Sequence, residues 1–405
     1  MKLGVVANEY FDHTVSRMGG FGFAAQQAMG VFLDDPSLGV EVVCLPGRRL
    51  KFPDPGAPQA HGVRAVPVQT GSAAAVTAHR AALRAERPDV LLTIDYRLQY
   101  DRVLRPLRRT PTIVWVRDPR TPEDWRRIAS LRIPGAEGVR PQGLGHVDCT
   151  PIRWEALRSK LFRRPLLFAT LAPHLGDKMR ATYGMTAPVH ALPNIVPQPA
   201  APVAKAARPT VIFLGRLDPI KRPWIVFELA RRMPDVDFVV VGQAHFQGEG
   251  SWAPTAVPPN LRLTGHVEGR EKARLLGSAW LAINTSIHEA VAFSFFEALA
   301  HRTPMVAAVE MGGLVARYGA FVGRFDGTGL EGLDAFERGL RHLIEHDELR
   351  ERVGCQGQAW VARTHNRETF LDAFAALCAR AGVRWPERVA VGSGWAAVRQ
   401  HASLG

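Results

Sequence analysis

The chain has 405 residues and a formal net charge of +13; 46% of its residues are hydrophobic and 22% are charged. This length exceeds one ordinary core and suits two domains of roughly 180 to 200 residues each, and the composition is that of a soluble globular protein. No apolar run reaches the roughly 18 to 20 residues that cross a bilayer, and the apolar start is too short for a signal peptide, so we expect a cytoplasmic protein. The four cysteines form no CxxC pair, which predicts free thiols rather than a metal cluster.

Short apolar runs alternate with helix-like stretches along the chain. In the first half the runs cover residues 3–7, 40–45, 63–68, 90–94, 112–116 and 166–170, and residues 72–86 are typical of a helix. A second series covers residues 211–214, 238–241, 261–263, 281–284 and 305–309. Strands that alternate with helices predict parallel sheets, and two separate series predict two α/β domains.

A segment rich in proline and alanine, residues 193–209, separates the two series and is typical of a linker. We therefore predict a first domain over residues 1–190, a linker over 191–209 and a second domain over 210–385. The helix-like end of the chain breaks at a Trp-Pro pair, so residues 386–405 are predicted to form a separate tail.

A glycine cluster, Gly19-Gly20, opens the first helix after the loop that follows the first strand. Backbone N–H groups at such a helix start could lie near a phosphate, and a tight turn into a core helix explains the cluster equally well. The spacing lacks the G-x-G-x-x-G pattern of a dinucleotide site. Asp12, His13 and Arg17 in the same loop are polar groups that could face a second substrate.

More than half of the net charge lies in residues 100–165, which contain fifteen Lys and Arg against seven Asp and Glu. Within this segment Trp154, Leu157 and Leu161 have helical spacing, with basic residues between them. Such a helix could lie on an anionic membrane surface, and a core-facing helix is the alternative. Basic surfaces also attract nucleic acid, but no nucleic-acid-binding module is recognisable, so no nucleic-acid partner is expected.

A strand, a glycine turn and a helix start follow one another from residue 210. The turn carries Arg216, Lys221 and Arg222, and Pro223 lies near the first helical position, where proline is favoured. N–H groups at a helix N-terminus favour an anion, and two or three cations beside them suit a diphosphate. A solvated basic turn is the alternative.

Two carboxylates eight residues apart, Glu289 and Glu297, lie at the junction of the strand 281–284 and an apolar helix. This junction is at the carboxyl end of a parallel strand, where open α/β sheets bind ligands. Taken alone, the pair has another explanation, with Glu289 as a helix-start acid that answers the dipole and Glu297 as a solvated side chain. The basic turn upstream favours a ligand site that both motifs share.

Together the two motifs resemble family 4 of the retaining glycosyltransferases, which have the architecture called GT-B. The family carries a Gly-Arg-Leu turn with a Lys five residues after the Arg, a Ser-x-x-Glu element, a second Glu followed by Ala after seven residues, a Pro-Val strand and a Gly-Gly turn. In the same order, this chain has Gly215, Arg216, Leu217, Lys221, Ser286, Glu289, Glu297, Ala298, Pro304, Val306, Gly312 and Gly313. Further matches are Pro193-Asn194 before the linker and Gly19-Gly20.

The resemblance implies an α/β fold of two Rossmann-like domains that face each other across a cleft, with the donor in the carboxyl-terminal domain. It implies that Arg216 and Lys221 hold the diphosphate of a nucleotide-sugar. It implies that Glu297 accepts hydrogen bonds from the ribose and that Glu289, a candidate catalytic residue, lies by the anomeric centre of the sugar. Further donor contacts are implied for Gly19, Gly20, Ala292 and Phe293.

The resemblance also sets expectations for cofactors and partners. In such enzymes cations and amides, rather than a metal, stabilise the leaving nucleoside diphosphate, so we expect no metal and no cofactor besides the co-substrate, a UDP- or GDP-sugar. In GT-B proteins the last helix commonly packs back on the first domain, and residues 386–405 are the candidate here. The acceptor is not identified; it could be a glycan, a small molecule or a lipid-linked molecule at the inner membrane face.

Two departures from the family pattern affect the expected site. Glycine usually occupies two positions after the first Glu, where this chain has Ala290 and Ala292, and alanine is unfavourable wherever φ is positive. The family often has a His-Asp pair after the strand 112–116, where this chain has Arg117-Asp118. Asp118 remains a candidate catalytic residue that meets the donor sugar or the acceptor.

Three other functions stay open at this point. A different GT-B enzyme, such as a sugar-nucleotide epimerase or a phosphorylase, would use the same architecture. A basic nucleic-acid-binding protein is the alternative from another class.

Overall fold

Two parallel β-sheets, one in each half of the chain, organise the protein. The computed structural model describes residues 1–9, 19–50, 59–60, 62–144 and 150–386. The strands of the first half are β1 (Lys2–Val6), β2 (Glu41–Cys44), β3 (Gln59–Ala60), β4 (Val63–Ala65), β5 (Val90–Ile94), β6 (Thr112–Val116), β7 (Leu166–Thr170) and β8 (Val189–Ala191). They form an eight-stranded sheet in the order β3-β4-β2-β1-β5-β6-β7-β8, in which β3 pairs antiparallel with β4 and the other pairs are parallel.

The second sheet has six strands, all parallel. They are β9 (Thr210–Leu214), β10 (Asp237–Val241), β11 (Leu261–Gly265), β12 (Leu281–Asn284), β13 (Met305–Ala307) and β14 (Gly319–Phe321), in the order β11-β10-β9-β12-β13-β14. Each sheet therefore reverses its strand order beside its first strand, between β1 and β5 in one sheet and between β9 and β12 in the other. Open α/β sheets bind ligands at the carboxyl ends of the strands flanking this point.

Helices cover both faces of each sheet. Those of the first half are α1 (Gly20–Leu33), α2 (Ala73–Glu86), α3 (Asp101–Leu104), α4 (Pro122–Ser130), α5 (Thr150–Leu161) and α6 (Pro173–Tyr183). Those of the second half are α7 (Trp224–Arg232), α8 (Gly269–Ser278), α9 (Phe293–Ala300), α10 (Leu314–Tyr318), α11 (Leu333–Glu345), α12 (Asp347–Thr364) and α13 (Arg367–Arg380).

The central strands are buried because of this double cover. Every residue of β5 and β6 is buried, as expected for parallel strands between two helical layers. Successive residues of one strand pack into different cores: Leu92 and Ile113 belong to one cluster, and Leu91 and Val114 belong to the cluster on the opposite face.

The last described helix leaves the second half and packs on the first. In α13 the residues Phe370, Phe374 and Leu377 are buried in the same core as β1 and α1. The chain passes between the domains twice, once after β8 and once between α12 and α13. These two segments are adjacent, since the Asn194 N–H donates to His365 Nδ1 over 3.2 Å. The predicted second domain, residues 210–385, thus includes a helix that the structure packs on the first sheet. Of the predicted tail, only Pro386 lies within the described residues.

Candidate active site

A cleft of about 350 Å³ lies between the carboxyl ends of the two sheets. It is lined by the loops after β1, β6, β9 and β12 and by the first turn of α9. The structure brings together there all nine residues predicted from the sequence: Gly19, Gly20, Asp118, Arg216, Lys221, Glu289, Ala292, Phe293 and Glu297. Of the other candidates, Asp12, His13 and Arg17 lie outside the described residues.

Positive charge exceeds negative charge in this cleft. Its described lining contains six Lys and Arg side chains and four carboxylates, an excess of two positive charges. The cations are Arg97, Arg117, Arg120, Arg216, Lys221 and Lys272, and the carboxylates are Glu9, Asp118, Glu289 and Glu297. Cations around open helix N–H groups favour a multiply charged anion.

The turn after β9 is shaped by a close approach of two loops. Gly242, after β10, has a φ of +138°, and a Cβ there would lie 2.0 Å from the Gly215 carbonyl oxygen. Only glycine fits this position. The turn places Arg216 at the cleft, 38% exposed, with its guanidinium 3.0 Å from Asp218 Oδ2.

Arg222, which the sequence grouped with the ligand-facing cations of this turn, points into the protein instead. Its guanidinium donates to the carbonyl oxygens of Thr285 (2.7 Å), Ser286 (3.1 Å) and Phe325 (2.7 Å). Burial lowers the pKa of this guanidinium to about 10. Arg222 therefore ties the basic turn to the loop that carries Glu289, rather than meeting a ligand.

Glu289 is the centre of a hydrogen-bonded group. Its Oε1 forms an ion pair with Lys221 Nζ and accepts hydrogen bonds from Ser286 Oγ (2.7 Å) and Asn284 Nδ2 (3.3 Å). Burial alone would raise the pKa of Glu289, but the Lys221 ammonium and these hydrogen bonds hold the pKa below its ordinary value. The side chain is thus a carboxylate, 11% exposed, that can accept hydrogen bonds from a ligand.

Glu297 is paired with a lysine that the sequence analysis did not select. Lys272 Nζ, from α8, lies 2.8 Å from Glu297 Oε1 and 4.9 Å from the centroid of the Phe23 ring. Phe23, from α1, in turn stacks on Phe293 across the cleft, with ring centroids 6.2 Å apart. Lys272 adds a third cation to the carboxyl-terminal side of the site.

The start of α9 opens into the cleft without strain. Ala292 is its N-cap, with φ −67° and ψ 130°, and no side chain caps the helix. Neither Ala290 nor Ala292 has a positive φ, so alanine replaces the usual glycine there without a backbone penalty. Phe293 and Ser294, in the first turn, both line the cavity, and the N–H groups of a first helical turn have no partner within the helix.

The start of α1 is occupied by a carboxylate of the chain itself. Glu9 Oε2 accepts hydrogen bonds from the N–H groups of Gly19 (2.8 Å) and Gly22 (3.2 Å). Gly19 and Gly20 line the cleft as expected, but the Gly19 N–H that we assigned to a phosphate donates to Glu9 instead.

Arg117, at the position of the family's histidine, turns away toward the linker. Its guanidinium donates to Asn194 Oδ1 at 2.5 Å and lies 4.5 Å from the Trp115 ring centroid. Burial lowers its pKa to about 10.

A histidine from the other domain meets Asp118. His288 Nε2 lies 2.8 Å from Asp118 Oδ1, and its Nδ1 lies 3.4 Å from Asp124 Oδ1. Arg120 Nε donates to the second Asp118 oxygen at 2.8 Å, and Lys178 Nζ donates to Asp124 at 2.9 Å. The His288 imidazole thus lies between two carboxylates, and each carboxylate also contacts a cation of the first domain. This group of charges joins the two domains at the cleft.

The charges in this group support one another. Burial would raise the pKa of Asp118, but Arg120 and His288 hold the pKa well below its usual range. Burial would lower the pKa of His288, but Asp118 and Asp124 raise the pKa above its ordinary value. Asp118 is thus an ionised carboxylate and His288 favours the imidazolium form.

Two absences apply to the described residues only. In the ranges that the structure describes, no group of three or more His, Cys, Asp and Glu is arranged to hold a metal ion. Within the same ranges, no helix is long and apolar enough to cross a membrane.

Comparisons with known proteins agree with this architecture. Residues 198–360 match the family model described as glycosyl transferases group 1. No curated protein matches the chain in sequence.

Solved structures share the whole two-domain fold. Sucrose-phosphate synthase from Thermosynechococcus elongatus aligns with a TM-score of 0.65 and 13% identity over 94% of this chain and 98% of that one. HepE from Anabaena, in complex with UDP-glucose, aligns with a TM-score of 0.65 and 14% identity over 94% of this chain and 100% of that one. WaaG, a glycosyltransferase involved in lipopolysaccharide biosynthesis, aligns with a TM-score of 0.57 and 13% identity over 93% and 99% of the two chains.

These findings confirm the resemblance and the fold class predicted from the sequence. Both motifs, the basic turn and the pair of glutamates, fall within the matched residues, and both sheets are shared with the solved structures. The matched region, residues 198–360, is thus similar to the group 1 glycosyl transferases, and the chain as a whole has the GT-B fold.

Proposed function

We propose that the protein is a retaining glycosyltransferase that moves a sugar from a nucleoside diphosphate to an acceptor in the cleft between its domains. The observation that carries this proposal is the charge arrangement around the open start of α9. There Arg216, Lys221 and Lys272 line one cavity with the carboxylates Glu289 and Glu297.

The diphosphate would lie between the basic turn and the N–H groups at the start of α9. An excess of two positive charges in the cleft suits its negative charge. Because HepE was solved with UDP-glucose, a uridine donor is the first to test, with a guanosine donor as the alternative. Glu297 would accept hydrogen bonds from the ribose and Glu289 from the hydroxyls of the sugar.

Departure of the nucleoside diphosphate builds negative charge on its terminal phosphate. Arg216 and Lys221 would stabilise this charge, and because they are already held in place no reorganisation is needed at that moment. On this proposal the reaction needs no metal, so a chelator should leave the rate unchanged.

Asp118 would act on the sugar or the acceptor as a hydrogen-bond acceptor. Arg120 and His288 hold its pKa well below the usual range, so at neutral pH it carries no proton to donate. It lines the same cleft as Glu289, a place that suits orienting a hydroxyl of the reacting sugar or of the acceptor.

The activity is tested by incubating the full chain with UDP-, GDP- and ADP-sugars and following both products by NMR. Without an acceptor, slow transfer to water should release the nucleoside diphosphate together with a sugar that first appears in the anomeric form of the donor. The opposite anomer first would mean inversion. Lys221→Ala should abolish the release, whereas the matched surface variant Arg232→Ala should retain it.

The same experiment separates the rival enzymes. A sugar changed at another carbon would indicate an epimerase, and a sugar phosphate formed only with inorganic phosphate would indicate a phosphorylase. No product from any donor, in protein that binds none of the nucleotides, would contradict the proposal.

We further propose that α5 contacts an anionic membrane. Its residues Trp154, Leu157 and Leu161 are 60%, 56% and 73% exposed, so the alternative of a core-facing position is wrong for them. The opposite face, with Ile152 and Glu155, is the buried one. The exposed basic side chains beside the apolar residues are Arg153, Lys160 and Arg163, the composition of helices that lie on anionic bilayers.

Vesicle sedimentation tests this contact. Replacing Trp154, Leu157 and Leu161 by serine should weaken binding to phosphatidylglycerol-containing vesicles by at least about tenfold, since each side chain loses favourable apolar burial. The melting temperature should not fall, because these side chains are exposed in the free protein. Leu98→Ser, at another exposed position of the same domain, is the control, and unchanged vesicle binding by the triple variant would refute the contact.

A further inference from the structure

A second cavity adjoins the cleft inside the first domain. Its volume is about 220 Å³, and three of its lining residues, Glu9, Phe21 and Arg97, also line the main cleft. A molecule held there would therefore touch residues that also line the donor cleft. The cavity lies beyond the carboxyl ends of β1 and β5, the strand-order reversal of the first sheet.

Two guanidinium groups give this cavity a positive character. Arg48 Nε donates to the Asn8 carbonyl oxygen at 2.9 Å, and the side chain is otherwise exposed. Arg97 stacks its guanidinium on the Phe21 ring, 5.0 Å from the centroid. Among the described residues, its carboxylate partner is Asp95, with Oδ2 at 3.3 Å from one terminal nitrogen. A guanidinium has five N–H donors, and in the described part of the chain the contact with Asp95 engages one Arg97 nitrogen, so the others can donate to a ligand.

The carboxylates nearby are already engaged. Glu9, the carboxylate in the lining, caps the start of α1. Asp95 is buried beneath Arg97 and accepts the Arg117 N–H through Oδ1 at 3.1 Å. The described lining therefore carries two guanidinium groups and one carboxylate, an excess of one positive charge, and Glu9 Oε2 is turned toward the N–H groups of α1.

Other groups in the lining suit the rest of a small hydroxylated molecule. Asn8 Oδ1 is buried and has no hydrogen-bond donor among the described residues, so it can accept from a ligand hydroxyl. Phe21 and Tyr100 supply aromatic walls, and the Tyr100 hydroxyl is already bonded to the Ile94 carbonyl at 2.9 Å.

We propose that this cavity binds the acceptor and that the acceptor carries an anionic group, a phosphate or a carboxylate, held by Arg48 and Arg97. Planar guanidinium groups bind such anions through two parallel hydrogen bonds. This inference rests on the proposed function and narrows its acceptor to an anionic hydroxylated molecule. Among the described residues Arg97 already has Asp95 as a charged partner, so a neutral sugar would leave Arg48 without one.

The test measures binding of inorganic phosphate to the full chain saturated with UDP, so that the donor phosphate site is already filled. Calorimetry at constant ionic strength should then find one further phosphate site. Arg48→Gln should weaken that phosphate affinity at least about tenfold, as expected for a lost charge-assisted hydrogen bond, and leave UDP affinity unchanged. Arg49→Gln, at the exposed neighbouring position, should change neither.

Arg97 is tested by Arg97→Lys, which keeps the charge beside Asp95 and removes the paired donors; it should also weaken phosphate binding. Acetate in place of phosphate shows whether a carboxylate or a phosphate is preferred. Glucose 6-phosphate and glycerol 3-phosphate are each tested for displacement of the bound phosphate. Stronger displacement by glucose 6-phosphate indicates a sugar phosphate, and stronger displacement by glycerol 3-phosphate indicates a phospholipid headgroup.

The proposal is overturned if UDP-saturated protein takes up neither phosphate nor acetate, or if Arg48→Gln and Arg97→Lys leave anion uptake unchanged. Failure of UDP itself to bind would refute the donor site instead. In that case phosphate is titrated into the Arg216→Ala, Lys221→Ala protein, where binding that depends on Arg48 would still support the second cavity and its absence would reject it.

Discussion

At the scale of single residues, the site is built from carboxylates that are each paired with a lysine. Glu289 pairs with Lys221 and Glu297 pairs with Lys272 inside the cleft. Burial would raise the pKa of Glu289, but the Lys221 ammonium holds that pKa below its ordinary value. A bound diphosphate would attract both lysines. The hydroxyls of the ribose and of the sugar would then donate hydrogen bonds to the carboxylate oxygens that the lysines release. The pairs therefore hold the ligand-binding side chains in place before the donor arrives.

The ribose contact of Glu297 is tested by Glu297→Gln with UDP and its 2′-deoxy and 3′-deoxy forms. The wild-type protein should prefer UDP over at least one deoxy form, because a carboxylate accepts strongly from a hydroxyl. The variant should lose about tenfold in UDP affinity and most of that preference. A preference that survives in the variant would mean that another group binds the ribose.

The sequence alone was sufficient to locate the site residues that lie in short motifs with a fixed spacing. Glu289, Glu297, Arg216 and Lys221 could be found because each belongs to a motif with its own turn or helix start. Lys272 stands alone on an ordinary charged helix, and only the packing of α8 against α9 brings it to Glu297.

His288 shows the same limit across the two domains. It lies inside the Ser-x-x-Glu element, but its partners Asp118 and Asp124 are about 170 residues away and reach it only through the domain arrangement. Arg222 is the converse case, because a charge count cannot distinguish a guanidinium that faces a ligand from one that binds buried carbonyl groups.

At the scale of elements, the donor side depends on loops that meet at the ends of parallel strands. The turns after β9 and β10 touch through Gly215 and Gly242, and this contact sets the position of Arg216. The strands β1, β2, β4, β5, β6, β7 and β9 to β13 coincide with apolar runs in the sequence. The short strands β3, β8 and β14 were missed, because two or three residues at a sheet edge have no distinctive pattern.

The contact between these turns is tested by Gly242→Ala against Gly248→Ala. Both glycines have a positive φ, but a Cβ at position 248 meets open space, whereas one at position 242 meets the Gly215 carbonyl. Gly242→Ala should therefore cost about 2 kcal/mol more of unfolding free energy than Gly248→Ala and should weaken UDP binding. Equal losses in urea unfolding would mean that the close approach is relieved at little cost.

At the scale of the whole molecule, the domains are held together by several contacts, of which two carry predictions. One is the return of α13 to the first domain, and the other is the group of charges around His288. Gly312 adds a close approach, since a Cβ there would lie 2.1 Å from His174 Nδ1 of the other domain. The predicted boundary at residue 385 missed the return of α13, because the apolar face of a helix does not show which of two cores it covers.

The return of α13 predicts where a core mutation will act. Phe374→Ala should cost about 3 to 5 kcal/mol, as for other buried aromatic side chains, although residue 374 follows the second domain in sequence. Hydrogen exchange should increase in β1 and α1, which share its core. Phe336→Ala, in the core of the second sheet, is the matched control and should increase exchange there. If Phe374→Ala increased hydrogen exchange only in the second domain, the packing of α13 on the first domain would be contradicted.

The charges around His288 predict a pH dependence of stability. Asp118 and Asp124 raise the pKa of His288, while Arg120 and Lys178 sit on the far sides of these carboxylates. A raised pKa adds stability that is fully present below the unfolded value near 6.5 and is lost as the pH rises through the folded value. The advantage of the wild-type protein over His288→Gln in melting temperature should therefore shrink from pH 6.5 upward. A constant difference up to pH 9 would show that His288 is neutral in the folded protein.

The central claim is that the cleft binds a nucleoside diphosphate through Arg216 and Lys221, and thermal unfolding tests it most directly. The full chain is melted with UDP, GDP, ADP and their common sugar conjugates, where a ligand at about 100 times its dissociation constant should add roughly 2.7 kcal/mol of stability. We expect one base to raise the melting temperature and the rise to disappear in Arg216→Ala, Lys221→Ala protein. No rise with any nucleotide, or an equal rise in that double variant, would contradict the account.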